Sequence, residues 1–265
     1  MDFGLKEKTA LVLGGGGGLG RAISVALAAE GANVAVADID SKAIEETQAA
    51  LAGIEGKPGA KSIGLVWDLA DLSSIDAHVT KIESELGLVD ILVNITGGPP
   101  PTPAAGQDPV LWTKHFEAMV LSVIAITDRV LPGMRQRKWG RIITSTSSGV
   151  VSPIPNLAIS NALRLSLVGW SKTLAREVGK DGVTANIILP GRIATDRIRF
   201  LDEAKAKREG RSVEDVIAES TSSIPLGRYG KPEEYGAMVA FLGSEGAAYI
   251  TGSVIRVDGG LIASV

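Results

Sequence analysis

The sequence contains no cysteine, only two histidines and few aromatic residues, which make up 4% of its 265 positions. Without cysteine the chain cannot form disulfides, thiolate metal sites or a cysteine nucleophile. Two histidines are too few for a histidine-rich metal site, so we predict no metal centre. Positive charge is not in excess either, because the net charge is −3, and we expect neither nucleic acid nor a membrane as a partner.

Long apolar runs are also lacking. The first eight residues carry too many charges for a signal peptide, and no unbroken apolar run reaches the length of a membrane span. We therefore expect a cytoplasmic protein. Apolar residues make up 45% of the chain and charged residues 22%, proportions that are ordinary for a globular protein with a substantial core.

Glycine, by contrast, is abundant, and it is concentrated near the start of the chain. Residues 14–18 are five consecutive glycines, and Gly20 completes a G-x-x-x-G-x-G spacing between an apolar segment and a helical pattern. Glycine there lets the chain turn sharply and leaves backbone N–H groups open to a pyrophosphate, which a helix N-terminus also favours. This position predicts a dinucleotide-binding loop. The alternative is a flexible loop that binds no ligand.

Apolar strand-like segments alternate with helical patterns along almost the whole chain. Strands are predicted at 9–13, 33–38, 62–67, 91–94, 141–145, 184–189 and 253–257, and helices near 19–30, 41–52, 71–86, 109–137, 157–179 and 232–243. This alternation predicts a single-domain, Rossmann-type α/β fold over residues 1–265, with a doubly wound, seven-stranded parallel sheet and helices on both faces. The charged segment 202–219 interrupts the pattern, and we expect an exposed substrate flap there, within about 192–224.

Two aspartates end predicted strands and indicate how a nucleotide would bind. Asp38 ends the second strand, about 18 residues after the last loop glycine, where a carboxylate can accept both hydroxyls of an adenosine ribose and repels a 2′-phosphate. The glycine loop contains no lysine or arginine to hold that phosphate. We therefore predict a preference for NAD(H), with NADP(H) possible. Asp68 ends the third strand and could hold the adenine amino group, although both aspartates could instead be helix caps.

Further motifs follow along the rest of the chain. They are the segments 90–94, 131–134, 140–143, 169–177, 225–228, 232–234, 249–252 and 257–260, together with Gly97, Ser147, Asn186, Pro190, Gly191 and Thr195. With the glycine loop, they resemble the short-chain dehydrogenase/reductase family over residues 6–260. The resemblance is strongest to the branch that contains β-ketoacyl-carrier-protein reductases.

This resemblance implies an NAD(P)-dependent oxidoreductase that transfers a hydride between nicotinamide C4 and the carbon of a ketone or secondary alcohol. It also implies a set of cofactor-binding residues: Gly14, Gly16, Gly18, Leu19, Gly20, Asp38, Asp68, Leu69, Asn94, Gly97, Arg164, Pro190, Gly191, Ile193 and Thr195. Because family members commonly form tetramers, we expect a homotetramer, or a dimer, that acts on a small carbonyl or alcohol substrate.

The expected catalytic centre departs from the family's pattern. In such enzymes a tyrosine transfers the proton, a lysine four residues later holds the nicotinamide ribose, a serine polarises the carbonyl and an asparagine supports a relay water. Here Ser147 is kept, whereas Ser160, Arg164 and Met119 stand at the tyrosine, lysine and asparagine positions. The candidate catalytic residues are Ser147, Ser160, Asn161 and Arg164, whose polar groups suit a carboxylate, a phosphate or a carbonyl oxygen.

Three functions therefore remain open. The chain is an atypical oxidoreductase in which Ser147 polarises the oxygen and Ser160 or a water relays the proton, or it is a non-redox enzyme that reuses the same pocket. The third alternative is a catalytically silent nucleotide-binding protein. The intact cofactor features favour the oxidoreductase.

Overall fold

The computed structural model describes residues 3–54 and 60–265. Its strands are β1 (Thr9–Leu13), β2 (Asn33–Asp38), β3 (Ser62–Val66), β4 (Ile91–Asn94), β5 (Gly140–Ser145), β6 (Val183–Pro190) and β7 (Val254–Val257). They form one seven-stranded sheet in the order β3-β2-β1-β4-β5-β6-β7, and every neighbouring pair is parallel. The predicted fold class is confirmed.

Helices make the crossovers that parallel strands require. They are α1 (Gly18–Ala29), α2 (Ser41–Ala52), α3 (Ile75–Leu86), α4 (Pro109–Phe116), α5 (Ser122–Arg137), α6 (Ala158–Val178), α7 (Asp196–Glu209), α8 (Val213–Ser222) and α9 (Pro232–Leu242). The single helix predicted at 109–137 is divided by a π-helical turn, Glu117–Leu121, into α4 and α5. The charged segment forms α7 and α8, and α7 ends at Gly210, which adopts a left-handed conformation with φ of +65°.

The sheet is buried on both faces. Successive side chains of a strand point to opposite faces, so Leu11 and Leu13 pack into one apolar core whereas Ala10 and Val12 pack into the other. Residues of α3, α5 and α6 belong to the first core, and residues of α1, α2 and α9 belong to the second. The strands are therefore mostly apolar, and the polar groups that border the cleft lie at the carboxyl ends of the strands, in the loops after them and on the adjoining helices.

One helical stretch within the described residues, Pro109–Arg137, is long and apolar enough to cross a membrane by length and composition alone, with a mean hydropathy of 1.3. In this fold its buried side chains pack against the sheet and against α6: Met119, Val120, Val123, Ile126, Val130 and Met134. Core helices of globular proteins pass the same length and composition test, and 33% of the apolar window of this stretch is buried.

The glycine loop depends on a very close backbone approach. A Cβ atom built on Gly20, in the first turn of α1, would lie 1.9 Å from the carbonyl oxygen of Gly14. At Gly17, with a φ of −146°, the same atom would meet nothing within 4 Å. Packing therefore requires glycine at position 20 but not at position 17.

A buried polar pair joins α9 to β5 beneath the carboxyl edge of the sheet. The Tyr235 side chain is fully buried, and its hydroxyl lies 2.8 Å from Ser145 Oγ and donates to the carbonyl of Ile188 at 3.4 Å. Burial raises the pKa of Tyr235 well above its ordinary value, so the phenol stays neutral. The pair ties α9 to β5 two residues before Ser147.

Replacing Gly20 by alanine should lower the free energy of unfolding by about 3 kcal/mol or more, because the added methyl group forces the loop backbone apart. Gly17→Ala is the matched control and should stay within about 0.5 kcal/mol of wild type. Urea unfolding followed by circular dichroism measures both variants. Equal stabilities for the two would contradict this account of the loop.

Tyr235→Phe should lower the free energy of unfolding by about 1–3 kcal/mol, because it leaves the buried Ser145 hydroxyl without its partner. Removing both hydroxyls, in Ser145→Ala/Tyr235→Phe, should cost less than the sum of the two single variants. Urea unfolding of the three proteins gives the coupling energy. Additive single effects would show that the two hydroxyls do not interact.

Candidate functional site

A cleft of about 1530 Å³ lies at the carboxyl edge of the sheet, bordered by the glycine loop, the loops after β4, β5 and β6, and α7. It brings together most of the residues that the sequence singled out. Those that line it are Gly18, Leu19, Gly20, Asp38, Gly97, Ser147, Ser160, Arg164, Pro190, Gly191, Ile193 and Thr195.

Asp38 stands at one end of the cleft, where β2 ends. Its carboxylate accepts hydrogen bonds from the N–H groups of Gly16 at 2.9 Å and Asp40 at 3.1 Å. Each carboxylate oxygen has room for a further donor. Arg21, which also borders this part of the cleft, is paired with Glu46 at 2.7 Å. The negative charge of Asp38 is therefore presented to whatever binds there.

Another wall of the cleft is built where α7 meets the glycine loop. Thr195 caps α7, because its Oγ1 accepts a hydrogen bond from the N–H of Ile198 at 3.4 Å. The same side chain lies against the glycine loop, since a Cβ built on Gly18 would be 3.5 Å from its Cγ2. A ligand phosphate at the start of α1 would therefore also meet Thr195.

Several predicted cofactor residues do not line the cleft: Gly14, Gly16, Asp68, Leu69 and Asn94. Asp68 is exposed and accepts a hydrogen bond from the N–H of Ala70 at 2.9 Å, which is a local turn contact. Asn94 is fully buried, and its Nδ2 donates to Thr144 Oγ1 at 3.1 Å, joining β4 to β5. Both side chains support the loops around the cleft in this structure.

The two serines present hydroxyl groups to the cleft. Ser147 Oγ accepts a hydrogen bond from the N–H of Gly149 at 3.0 Å, and Ser160 Oγ accepts one from Nε of Arg164 at 3.3 Å. Because each oxygen is already an acceptor, its own proton is available to a ligand oxygen. Two O–H donors in one cleft are the groups that polarise a carbonyl.

Arg164 reaches from α6 to the ends of two strands. Besides its bond to Ser160, Nη1 donates to the carbonyl of Ser145 at 3.4 Å, and Nη2 donates to the carbonyls of Thr96 and Gly97, each at 3.2 Å. The guanidinium thereby links the loop after β4, the end of β5 and the start of α6. Within the part of the chain that the structure describes, it forms no ion pair with an acid.

The charge of Arg164 is destabilised by its surroundings. The side chain is half-buried. Its burial removes water that would stabilise the charged form, and this lowers the pKa of Arg164 to about 10. The neighbouring charge of Arg197 acts in the same direction, and Tyr235 opposes it. A guanidinium with this pKa still carries its proton at neutral pH, so the cleft contains a fixed positive charge.

Asn161 does not join the serines. Its Nδ2 donates to the carbonyl of Ile154 at 2.9 Å, and its Oδ1 accepts from the N–H of the same residue at 3.5 Å. The amide borders a separate hollow beside the proline-rich loop and is absent from the walls of the cleft. The expectation that this amide would act beside Ser160 is thus not met, because the loop after β5 occupies it.

Three residues near this centre were not predicted as site residues: Ser145, Arg197 and Tyr235. Ser145 and Arg197 line the cleft, and Tyr235 lies directly behind Ser145. Arg197 stands two residues after Thr195 and lies within the predicted flap, so the sequence indicated its region without singling out its side chain. Ser145 and Tyr235 are 90 positions apart, and only the packing of α9 under β5 brings them together.

Comparisons with known proteins agree with this architecture. A family model described as enoyl-(acyl carrier protein) reductase matches residues 15–262. Nodulation protein G of Azospirillum brasilense is 37% identical over 257 residues, which cover 97% of this chain and 99% of that protein. The 3-oxoacyl-[acyl-carrier-protein] reductase FabG of Escherichia coli K12 is 37% identical over 266 residues, covering 98% and 99% of the two chains.

A solved structure gives the same result at the level of the fold. The L-sorbose reductase of Gluconobacter frateurii, described as complexed with NADPH and L-sorbose, superposes with a TM-score of 0.92 at 30% identity and covers 100% of both chains. The family match and these relatives extend over nearly the whole sequence. The chain therefore belongs to the short-chain dehydrogenase/reductase family and is similar to its 3-oxoacyl-[acyl-carrier-protein] reductases.

Proposed function

We propose that this protein is an atypical nicotinamide-dependent oxidoreductase that interconverts a ketone and a secondary alcohol. The observation that carries the proposal is the placement of two serine hydroxyls, Ser147 and Ser160, in the same cleft as the glycine loop. The relatives support the reaction class, since one is named as a 3-oxoacyl reductase and another holds NADPH and a sugar ketone.

The glycine loop fits a dinucleotide. Helix α1 begins at Gly18 without a side-chain cap and without an acid in its first turn, so its first N–H groups and its positive dipole end are available to a phosphate. Gly17 and Gly18 line the cleft and add no side chain that would hold a phosphate away. Asp38 would hold the adenosine ribose, and Arg164 would contact the nicotinamide ribose.

A bound nicotinamide supplies or accepts the hydride in this chemistry. The protein's own part is to hold the substrate oxygen and to stabilise the charge that develops on it, which the O–H groups of Ser147 and Ser160 can do. The hydrogen bond from Arg164 to Ser160 Oγ stabilises negative charge on that oxygen and so makes its proton easier to transfer. Arg164 keeps its own proton, and in the direction of reduction the substrate oxygen would take a proton either from Ser160, which would regain one from solvent, or directly from a water molecule.

We further propose that the cofactor is NAD(H) in preference to NADP(H). The L-sorbose reductase holds NADPH, so the preference rests on this chain's own residues. Asp38 presents a carboxylate where a 2′-phosphate would lie, and Arg21 is already paired with Glu46. Repulsion between the carboxylate and the phosphate disfavours NADP(H).

The proposal also includes a substrate flap and an oligomeric state. We assign segment 192–224 as a substrate flap, because residues along one side of α7 line the cleft while α7 and α8 are largely exposed.

We also propose a homotetramer, or a dimer, that uses α4 and α6. Three apolar side chains on these helices support it: Val110 is 72% exposed, Phe116 42% and Leu165 51%.

The cofactor preference can be measured by titrating the protein with NADH and NADPH and following nicotinamide fluorescence. Wild type should bind NADH at least about tenfold more tightly, and Asp38→Ala should reduce or reverse the ratio because the repulsion is removed. Asp71→Ala, an equal change of charge at a residue outside the cleft, is the control. A preference for NADPH in wild type would contradict the assignment of Asp38.

The reaction class can be tested by following NADH oxidation with a panel of ketones. We expect turnover, and we expect Ser147→Ala to lower kcat by about 100-fold or more, because a donor to the developing oxyanion is lost. Ser166→Ala, on the outer side of α6, should leave kcat unchanged. Tight NADH binding without turnover of any ketone would favour a silent nucleotide-binding protein.

A further inference from the structure

Two arginines in the cleft, Arg164 and Arg197, lack an acidic partner among the residues that the structure describes. The other arginines that line the cleft are paired: Arg21 with Glu46 at 2.7 Å, Arg192 with Asp202 at 2.7 Å and Arg208 with Glu209 at 3.2 Å. Among the described arginines that line the cleft, three are therefore paired with an acid and two are not. Two guanidinium charges are left for a ligand at the end of the cleft that also contains Ser160.

These two guanidinium groups converge. The Nη2 atoms of Arg164 and Arg197 each lie 3.7 Å from the same point, which is the position that a Cβ on Gly98 would occupy. Gly98 has no side chain to separate them, and both side chains line the cleft. The two like charges repel, since the charge of Arg197 helps to lower the pKa of Arg164, and an anion between them would relieve this unfavourable interaction.

Their present hydrogen bonds are long and go to neutral acceptors. Arg164 donates to Ser160 Oγ and to backbone carbonyls at 3.2–3.4 Å, and Arg197 donates to the carbonyl of Pro99 at 3.4 Å. Hydrogen bonds between a guanidinium and a carboxylate are shorter, about 2.7–2.9 Å, and roughly twice as strong. A carboxylate would therefore compete well for both side chains.

We propose that Arg164, which would also contact the nicotinamide ribose, joins Arg197 in binding a carboxylate of the substrate, so that the substrate is an oxo acid or the corresponding hydroxy acid. The inference rests on the proposed function and specifies its substrate class. Because Ser160 is bonded directly to Arg164, the carbonyl oxygen that Ser160 polarises lies close to the bound carboxylate. The geometry favours acids in which the two groups are one or two carbons apart, which are 2-oxo and 3-oxo acids.

The test compares acids with their neutral esters under conditions without turnover. Calorimetry in the presence of NAD⁺, which cannot reduce a ketone, gives the affinities for acetoacetate and methyl acetoacetate, and for pyruvate and methyl pyruvate. At least one acid should bind about 10- to 100-fold more tightly than its ester. Equal binding of acid and ester in both pairs, or no detectable binding of either acid, would overturn the proposal.

Variants on α7 distinguish a specific role of Arg197 in binding the acid from a general effect of positive charge on this helix. Arg197→Met should abolish the preference for the acid, and Arg197→Lys should retain part of it. Arg199→Met is the matched control, because Arg199 lies on the same helix, is exposed and is absent from the walls of the cleft. If Arg197→Met weakened NADH binding as much as acid binding, Arg197 would belong to the cofactor site, and the proposal would be wrong.

Turnover with NADH, measured in parallel, distinguishes this inference from the proposed function. Selective binding of an acid without NADH oxidation would contradict the proposed reductase function but would still support the proposed carboxylate site. Equal turnover of an acid and its ester, together with equal affinities, would contradict the carboxylate site and leave the reductase standing.

Discussion

The parallel direction of all seven strands is the constraint on which the rest of this structure depends. Parallel strands need helical crossovers, and these helices cover both faces of the sheet, so apolar side chains fill both cores. Polar groups that serve a ligand can then collect only where the strands end. The glycine loop, Asp38, Ser147 and Thr195 come from distant parts of the chain and meet at this edge for that reason.

The half-buried guanidinium of Arg164 links several elements at that edge. Arg164 donates to the loop after β4, to the end of β5 and to Ser160, so its charge is held by carbonyl and hydroxyl oxygens. Such acceptors satisfy its donors without neutralising it. The residual charge can polarise Ser160 in the proposed reduction, and together with Arg197 it can hold an acidic substrate. Both proposals therefore depend on the same unneutralised guanidinium.

The polar pair buried behind the cleft is neutral, in contrast to the charged Arg164. Tyr235 and Ser145 satisfy one another's hydroxyls in a buried site, and burial keeps the phenol neutral. This pair stiffens the end of β5 close to Ser147. The tyrosine is thus part of the support of the cleft, and its hydroxyl lies outside the cleft itself.

Local signals in the sequence determined the strands, the helices and the glycine loop, because apolar periodicity and turn residues act over a few positions. Ser147, Ser160 and Arg164 were singled out by the resemblance to the short-chain dehydrogenase/reductase family, through their spacing from its motifs. The tertiary structure alone decided that Asn161 binds Ile154, that Asn94 binds Thr144, and that Arg197 approaches Arg164. Those outcomes depend on which distant backbone groups compete for a side chain, and no short stretch of sequence contains that information.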